Sequence, residues 1–100
     1  MRLVWTAQAA ARLAAIRAYI AADSPEAARR HMMLLVSKGN ALVEFPRIGR
    51  RVPERPEGDL REVIVKGYRI VYRLLGDDIL EVVTVLEGHR LLRDEELADQ

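Results

Sequence analysis

The hydrophobic period of this chain changes once, and that change restricts the available folds more than any other feature. Up to residue 45 the apolar residues recur at helical spacing, and from 60 to 86 they alternate or run on as strands do. Between them, residues 46–59 hold three of the four prolines and two glycines, the composition of a loop. Helices followed by strands, with a breaker-rich stretch between, predict an α+β arrangement rather than an alternating α/β one. At 100 residues the chain is long enough for one domain with its own core. Having no cysteine, it has no disulfide framework, thiol nucleophile or thiolate metal site.

The helical half divides in two. Arg2-Leu3-Val4-Trp5 is a short apolar run, and Thr6 can cap a helix beginning at the next residue. Ala9, Leu13, Ile16 and Ile20 then mark one face of a first helix, with Gln8, Arg12 and Arg17 largely off it. Asp23-Ser24-Pro25-Glu26 restarts the chain, with Ser24 as cap, Pro25 at the first helical position and Glu26 complementing the helix dipole. Ala28, Met32, Leu35 and Leu42 define the second helix, where Gly39 predicts a bend or a close contact. Pro46 closes it. Eleven of thirteen alanines precede residue 29, so the two helices can pack closely as a thin hairpin.

The second half reads as a meander. Leu60–Val65 is strand-like, Lys66-Gly67 is a hairpin turn, and Tyr68–Leu75 alternates. After Gly76-Asp77-Asp78, the stretch Ile79–Leu86 is apolar on both faces except at Glu81 and Thr84, as in a strand covered on both sides. The predicted order is β-α-α-β-β-β: an antiparallel meander with a two-helix hairpin on one face, whose core carries Val71 or Tyr72 together with Val83. A short polar tail is expected from about residue 91, and residues 1–100 are expected to form a single domain. Neither a signal peptide nor a membrane span is legible, so a cytoplasmic protein is expected.

Net charge is +1, but unevenly spread: residues 47–73 hold eight basic and four acidic residues, and residues 74–100 hold two and eight. A basic middle beside an acidic end suits an anionic or acidic partner. The catalytic inventory is thin. His31 and His89 lack ligand spacing to each other or to a carboxylate pair, neither serine has a triad partner, and no Gly-rich phosphate motif is present. Neither a metal nor a cofactor is therefore expected. What stands out is arginine on the strands: Arg61, Arg69, Arg73 and Arg90, joined at the strand ends by Lys66 and His89, could gather into a cationic patch. The bland alternative pairs these arginines with Glu62, Glu81 or Glu87. The loop arginines Arg47, Arg50, Arg51 and Arg55 are either functional or merely solubilising.

Leu60-Arg61-Glu62-Val63, then Gly67-Tyr68-Arg69-Ile70-Val71-Tyr72-Arg73, then Gly76-Asp77-Asp78 and an Ile/Leu/Val strand, resemble the RelE/ParE toxin superfamily of type II toxin–antitoxin modules. Phe45-Pro46-Arg47-Ile48-Gly49-Arg50 and Ala15-Ile16-Arg17-Ala18-Tyr19-Ile20 are similar to segments of the ParE branch. The resemblance spans essentially the whole chain and implies a cognate antitoxin, with which a hetero-oligomer would form. It implies two alternative activities. A RelE-like toxin would cleave mRNA on the ribosome without metal, using Arg61, Arg69, Arg90 and His89. The paired lysines and the late tyrosine of that branch are missing here. A ParE-like toxin would inhibit DNA gyrase by binding, with no catalytic residues, through Arg61, Arg69, Arg73, His89 and Arg90. Val85-Leu86-Glu87-Gly88-His89-Arg90 keeps the glycine and arginine of the ParE ending but places Glu87 at its histidine. The ParE reading is the better fit.

Overall fold

The structure, a computed structural model, describes residues 1–97. The chain runs β1 (Arg2–Trp5), α1 (Ala7–Ala21), α2 (Pro25–Leu42), β2 (Arg50–Arg51), β3 (Arg61–Val65), β4 (Tyr68–Leu75) and β5 (Ile79–Glu87), and ends in a 3₁₀ turn, Asp94–Leu97. Both helices start where their capping chemistry says they should. The Thr6 hydroxyl accepts the Ala9 N–H at 3.0 Å, and the Ser24 hydroxyl accepts that of Ala27 at 3.1 Å.

The strands form one sheet in the order β1-β5-β4-β3-β2. Strands β3, β4 and β5 are the expected antiparallel meander. Lys66 (φ 53°) and Gly67 (φ 83°) turn the first hairpin with positive φ at both central positions, the geometry that matches strand twist. Two pairings go beyond the expected meander, that of the expected first strand and that of an additional short one. β1 pairs parallel to β5, with Arg2 opposite Ile79 and Trp5 opposite Val82, so the sheet is mixed. Arg50 and Arg51, inside the expected loop, form β2 against β3.

The two faces of the sheet carry two cores. Tyr72, Ile70, Leu80, Val82 and Val85 face the helices and meet Ala9, Leu13, Ile16, Ile20, Met32 and Leu35, the expected helical contacts. Val83, expected on the helix-covered face with Val71 or Tyr72, shares a face with Val71 but not with Tyr72, and that face is the one away from the helices. The pairing steps from Val71 opposite Thr84 to Tyr72 opposite Val82, leaving Val83 as the extra residue of a bulge. Val83 therefore turns to the second face, where Val52, Leu60, Val71, Leu86 and Leu92 bury it.

Leu92 also corrects the expectation of a polar tail. Leu92 and Glu96 are buried, and Leu97 packs on the second core. The acidic end is a cover for β5, and its final residues, 98–100, lie outside the described part. Gly39 makes the close contact its position suggested. A Cβ there would lie 2.8 Å from the Trp5 indole, so α2 can approach β1 only with glycine at this point.

Candidate functional site

Side-chain parity on the strands divides the expected cationic patch. Arg61 pairs across to Tyr72, which faces the helices, whereas Arg69 pairs across to Ile64 and shares the opposite face with Arg73. Arg61 therefore stands apart from Arg69 and Arg73, because register parity overrides their proximity along the meander. Its guanidinium instead donates to the carbonyls of Gly49 (2.8 Å) and Arg47 (3.3 Å), at the root of the loop.

Arg69 is the centre of the second-face cluster and is only 4% exposed. Its Nε donates to Glu62 Oε1 at 2.7 Å. Its two terminal nitrogens grip Glu54 side by side, at 2.8 and 2.7 Å, and one also donates to the Arg90 carbonyl at 2.8 Å. Glu54 further accepts the Leu92 N–H at 2.8 Å, so one carboxylate ties β4 to the C-terminal segment. The hydrogen bond from Arg69 holds the Glu54 carboxyl down at about 2, against the opposing effect of burial, with the Leu92 N–H lowering it further. Reciprocally, Glu54 raises the proton affinity of Arg69. Glu62, fully buried, is also reached by Arg50 from β2. No buried side-chain polar atom among the described residues lacks a partner.

The remaining expected residues fall around this cluster. Arg73 pairs with Glu81 at 2.9 Å. Arg90 pairs with Glu87 at 3.3 Å and with Glu96 at 3.2 Å. The pairs with Glu62, Glu81 and Glu87 are those that the bland alternative named. Glu87 sits below the usual carboxylate range, through a hydrogen bond from its own backbone N–H and then through Arg90 and Arg12. His89 and Lys66 are exposed, and His89 lies beside Arg50, Glu54, Arg69 and Arg90 around a cavity of about 320 Å³. His31 is remote from this cluster: it is half-buried, its Nδ1 lies 2.9 Å from the Ala27 carbonyl, and its ring meets Tyr68 edge-on.

Sequence reasoning missed Glu54, which holds Arg69 from 15 residues upstream inside the loop. It also missed Tyr72 as an anchor. The phenol donates to the Pro46 carbonyl at 2.8 Å and accepts the Gly49 N–H at 2.9 Å, and burial raises its proton affinity. Neither contact has a local signal, because the loop's path is set by what it meets. Among the described residues, no three His, Asp or Glu side chains stand together to hold a metal ion. Nor is any helix there long and apolar enough to cross a membrane.

Chemically, the second-face cluster is a neutralised ion-pair network with an exposed histidine at its rim. It can present shape and a few polar groups to a macromolecule. Each of its guanidiniums, those of Arg50, Arg69, Arg73 and Arg90, is paired with at least one carboxylate.

Comparison with known proteins agrees with this architecture. The family described as ParE toxin of type II toxin–antitoxin system, parDE, matches residues 3–92. The chain is 33% identical over 90 residues to Toxin RelE2 of Caulobacter vibrioides, covering 90% of this chain and 98% of that protein. It is 37% identical over 91 residues to Putative toxin Y4kP of Sinorhizobium fredii, covering 89% and 90% respectively. Its fold is similar to a chain of the chromosomal ParDE TA system from P. aeruginosa, with a TM-score of 0.73 at 23% identity over 87% of this chain and 95% of that one. With a family match running through both helices and nearly every residue of the sheet, the chain belongs to the ParE toxin family of type II toxin–antitoxin systems.

Proposed function

We propose that this toxin acts by binding DNA gyrase and trapping its cleaved-DNA complex, and that a cognate antitoxin neutralises it in a hetero-oligomer in the cytoplasm. The observation that carries this reading is the state of Arg69. In a ribonuclease the corresponding guanidinium would neutralise the phosphate under attack, but here it is 4% exposed and already held by two carboxylates. Freeing it would leave buried charges unpaired, a cost on the order of 3–5 kcal/mol. General acid–base steps each contribute roughly 10²–10⁴-fold. The only imidazole beside the cluster is that of His89, and arginine is a poor proton carrier at neutral pH. Binding requires none of this chemistry.

The test sets the two activities side by side. With purified gyrase and relaxed plasmid, the toxin should block supercoiling and accumulate cleaved DNA. In a translating extract it should produce no codon-specific mRNA cleavage. Codon-specific cleavage that is lost in His89→Ala or Arg90→Ala, with gyrase unaffected, would replace this reading with the ribonuclease one.

A further inference from the structure

A second cavity, of about 430 Å³, opens where the loop meets the start of β3 and the β4–β5 turn, and its charges behave unlike those around Arg69. Arg47, Arg51, Arg61, Glu57 and Asp59 line it, together with Gly76 from the β4–β5 turn. Every arginine of the other cavity is paired with a carboxylate: Arg50 with Glu62, Arg69 with Glu54 and Glu62, Arg90 with Glu87 and Glu96. Here, among the described residues, none of the three arginines has an ion-pair partner, and neither carboxylate accepts a hydrogen bond.

The guanidiniums are nevertheless placed. Arg61 is held by the Gly49 and Arg47 carbonyls through one terminal nitrogen, and Arg51 by the Gly58 carbonyl at 2.5 Å through one of its own. Each therefore keeps most of its five N–H donors for something else. Backbone anchoring reduces the rotamer freedom lost when a ligand binds. Such forks match the paired oxygens of a phosphate. The two carboxylates would repel a bare polyanion, yet they are acceptors for hydroxyl or amino hydrogens. A cavity of this volume takes a small organic molecule rather than an ion alone.

We propose that this cavity binds a nucleotide, its phosphate on Arg47, Arg51 and Arg61 and its sugar hydroxyls or base amino group on Glu57 and Asp59. The site is separate from the cluster around Arg69 and does not depend on the gyrase reading. The same chemistry is offered by a free nucleoside monophosphate and by a nucleotide within a DNA strand.

Calorimetric titration of the purified chain with inorganic phosphate, nucleoside 5′-monophosphates and a short single-stranded oligodeoxynucleotide tests it. A monophosphate should bind at least roughly tenfold more tightly than inorganic phosphate, and Arg51→Gln should weaken it by about tenfold. Arg47→Gln, at an exposed position, should weaken it without disturbing the fold, as a circular dichroism melt would verify. Asp59→Asn should remove much of the advantage of nucleotide over phosphate while leaving phosphate binding intact or stronger, an asymmetry that a purely structural role for Asp59 would not produce. If the oligonucleotide binds more tightly than the monophosphate, with a salt dependence that Arg47→Gln reduces, the nucleotide is one within a strand. Equal affinity assigns the free nucleotide. The proposal is overturned by absence of saturable binding up to about 1 mM, by a monophosphate no tighter than phosphate, or by binding unchanged in the Arg47→Gln/Arg51→Gln double variant.

Discussion

Glu54 shows how much one side chain in an irregular segment can decide. Its carboxyl titrates at about 2 in the folded chain against an ordinary value of 4.5, because Arg69 and the Leu92 N–H stabilise the ionised form. A depressed carboxylate stabilises the fold fully above the unfolded value and loses that contribution as pH falls toward the folded one. Melting temperature should therefore fall between about pH 4.5 and pH 2 more steeply in the wild type than in Glu54→Gln. At pH 7 the variant should be less stable by about 2–3 kcal/mol, measured by urea unfolding. Equal slopes in the two proteins would remove Glu54 from this role. The arginines themselves were legible in the sequence, and their pairing with Glu62, Glu81 and Glu87 was one of two readings of it: Glu62 and Glu81 meet Arg69 and Arg73 from neighbouring strands, and Glu87 precedes Arg90 by three residues. Glu54 was not legible, because nothing in Pro53-Glu54-Arg55-Pro56 says which strand the loop crosses. Arg12 and Gln8 fell off the apolar face of α1, yet Arg12 reaches the Val85 carbonyl at 3.1 Å and Gln8 reaches Glu96 at 2.7 Å. Helical periodicity locates a core-facing stripe but not the polar contacts at its margins.

At the scale of elements, the features carried by adjacent residues were readable. The cap that Thr6 places on Ala9, the Ser24-Pro25 start and the Lys66-Gly67 turn act through contacts within a few residues, so that chemistry is complete in the local sequence. The parallel docking of β1 depends on residues 79–82, and the displacement of Val83 depends on a bulge, so neither has a local signature. Gly39 joins both kinds of information. In an isolated helix, Gly39→Ala would add about 1 kcal/mol of helix propensity. Here the new methyl would meet the Trp5 ring at 2.8 Å, and the strand bearing that ring is held by pairing to β5. Overpacking costs typically 1–3 kcal/mol, so the substitution should destabilise the protein by about 1 kcal/mol net, against the propensity scale. An alanine variant that melts higher than the wild type would show that β1 can give way.

Across the whole molecule, the helical hairpin covers one face of the sheet and the loop with the C-terminal segment covers the other. Ending the chain after Arg90 would uncover Val83 and Leu86 by removing Leu92 and Leu97. It would also take away Glu96, which accepts hydrogen bonds from Gln8, Thr84 and Arg90. Loss of one buried large apolar side chain costs about 2–5 kcal/mol, so this truncation should leave the protein largely unfolded or prone to aggregate, seen as a lost cooperative melt. A melt near that of the full chain would mean that the second core is dispensable. The pairing of the first strand with the last has a further consequence, in time rather than in space. Trp5 meets Val82 and the Thr6 hydroxyl donates to the Val83 carbonyl, so β1 must wait for partners made 77 residues later. Contacts so distant in sequence form late. On the ribosome the helical hairpin can emerge and begin to fold, but the sheet cannot close until β5 has cleared the exit. The sheet thus closes only after residues 79–83 have been made, well after the helical hairpin, which leaves an interval in which a partner already present can meet the unfinished sheet.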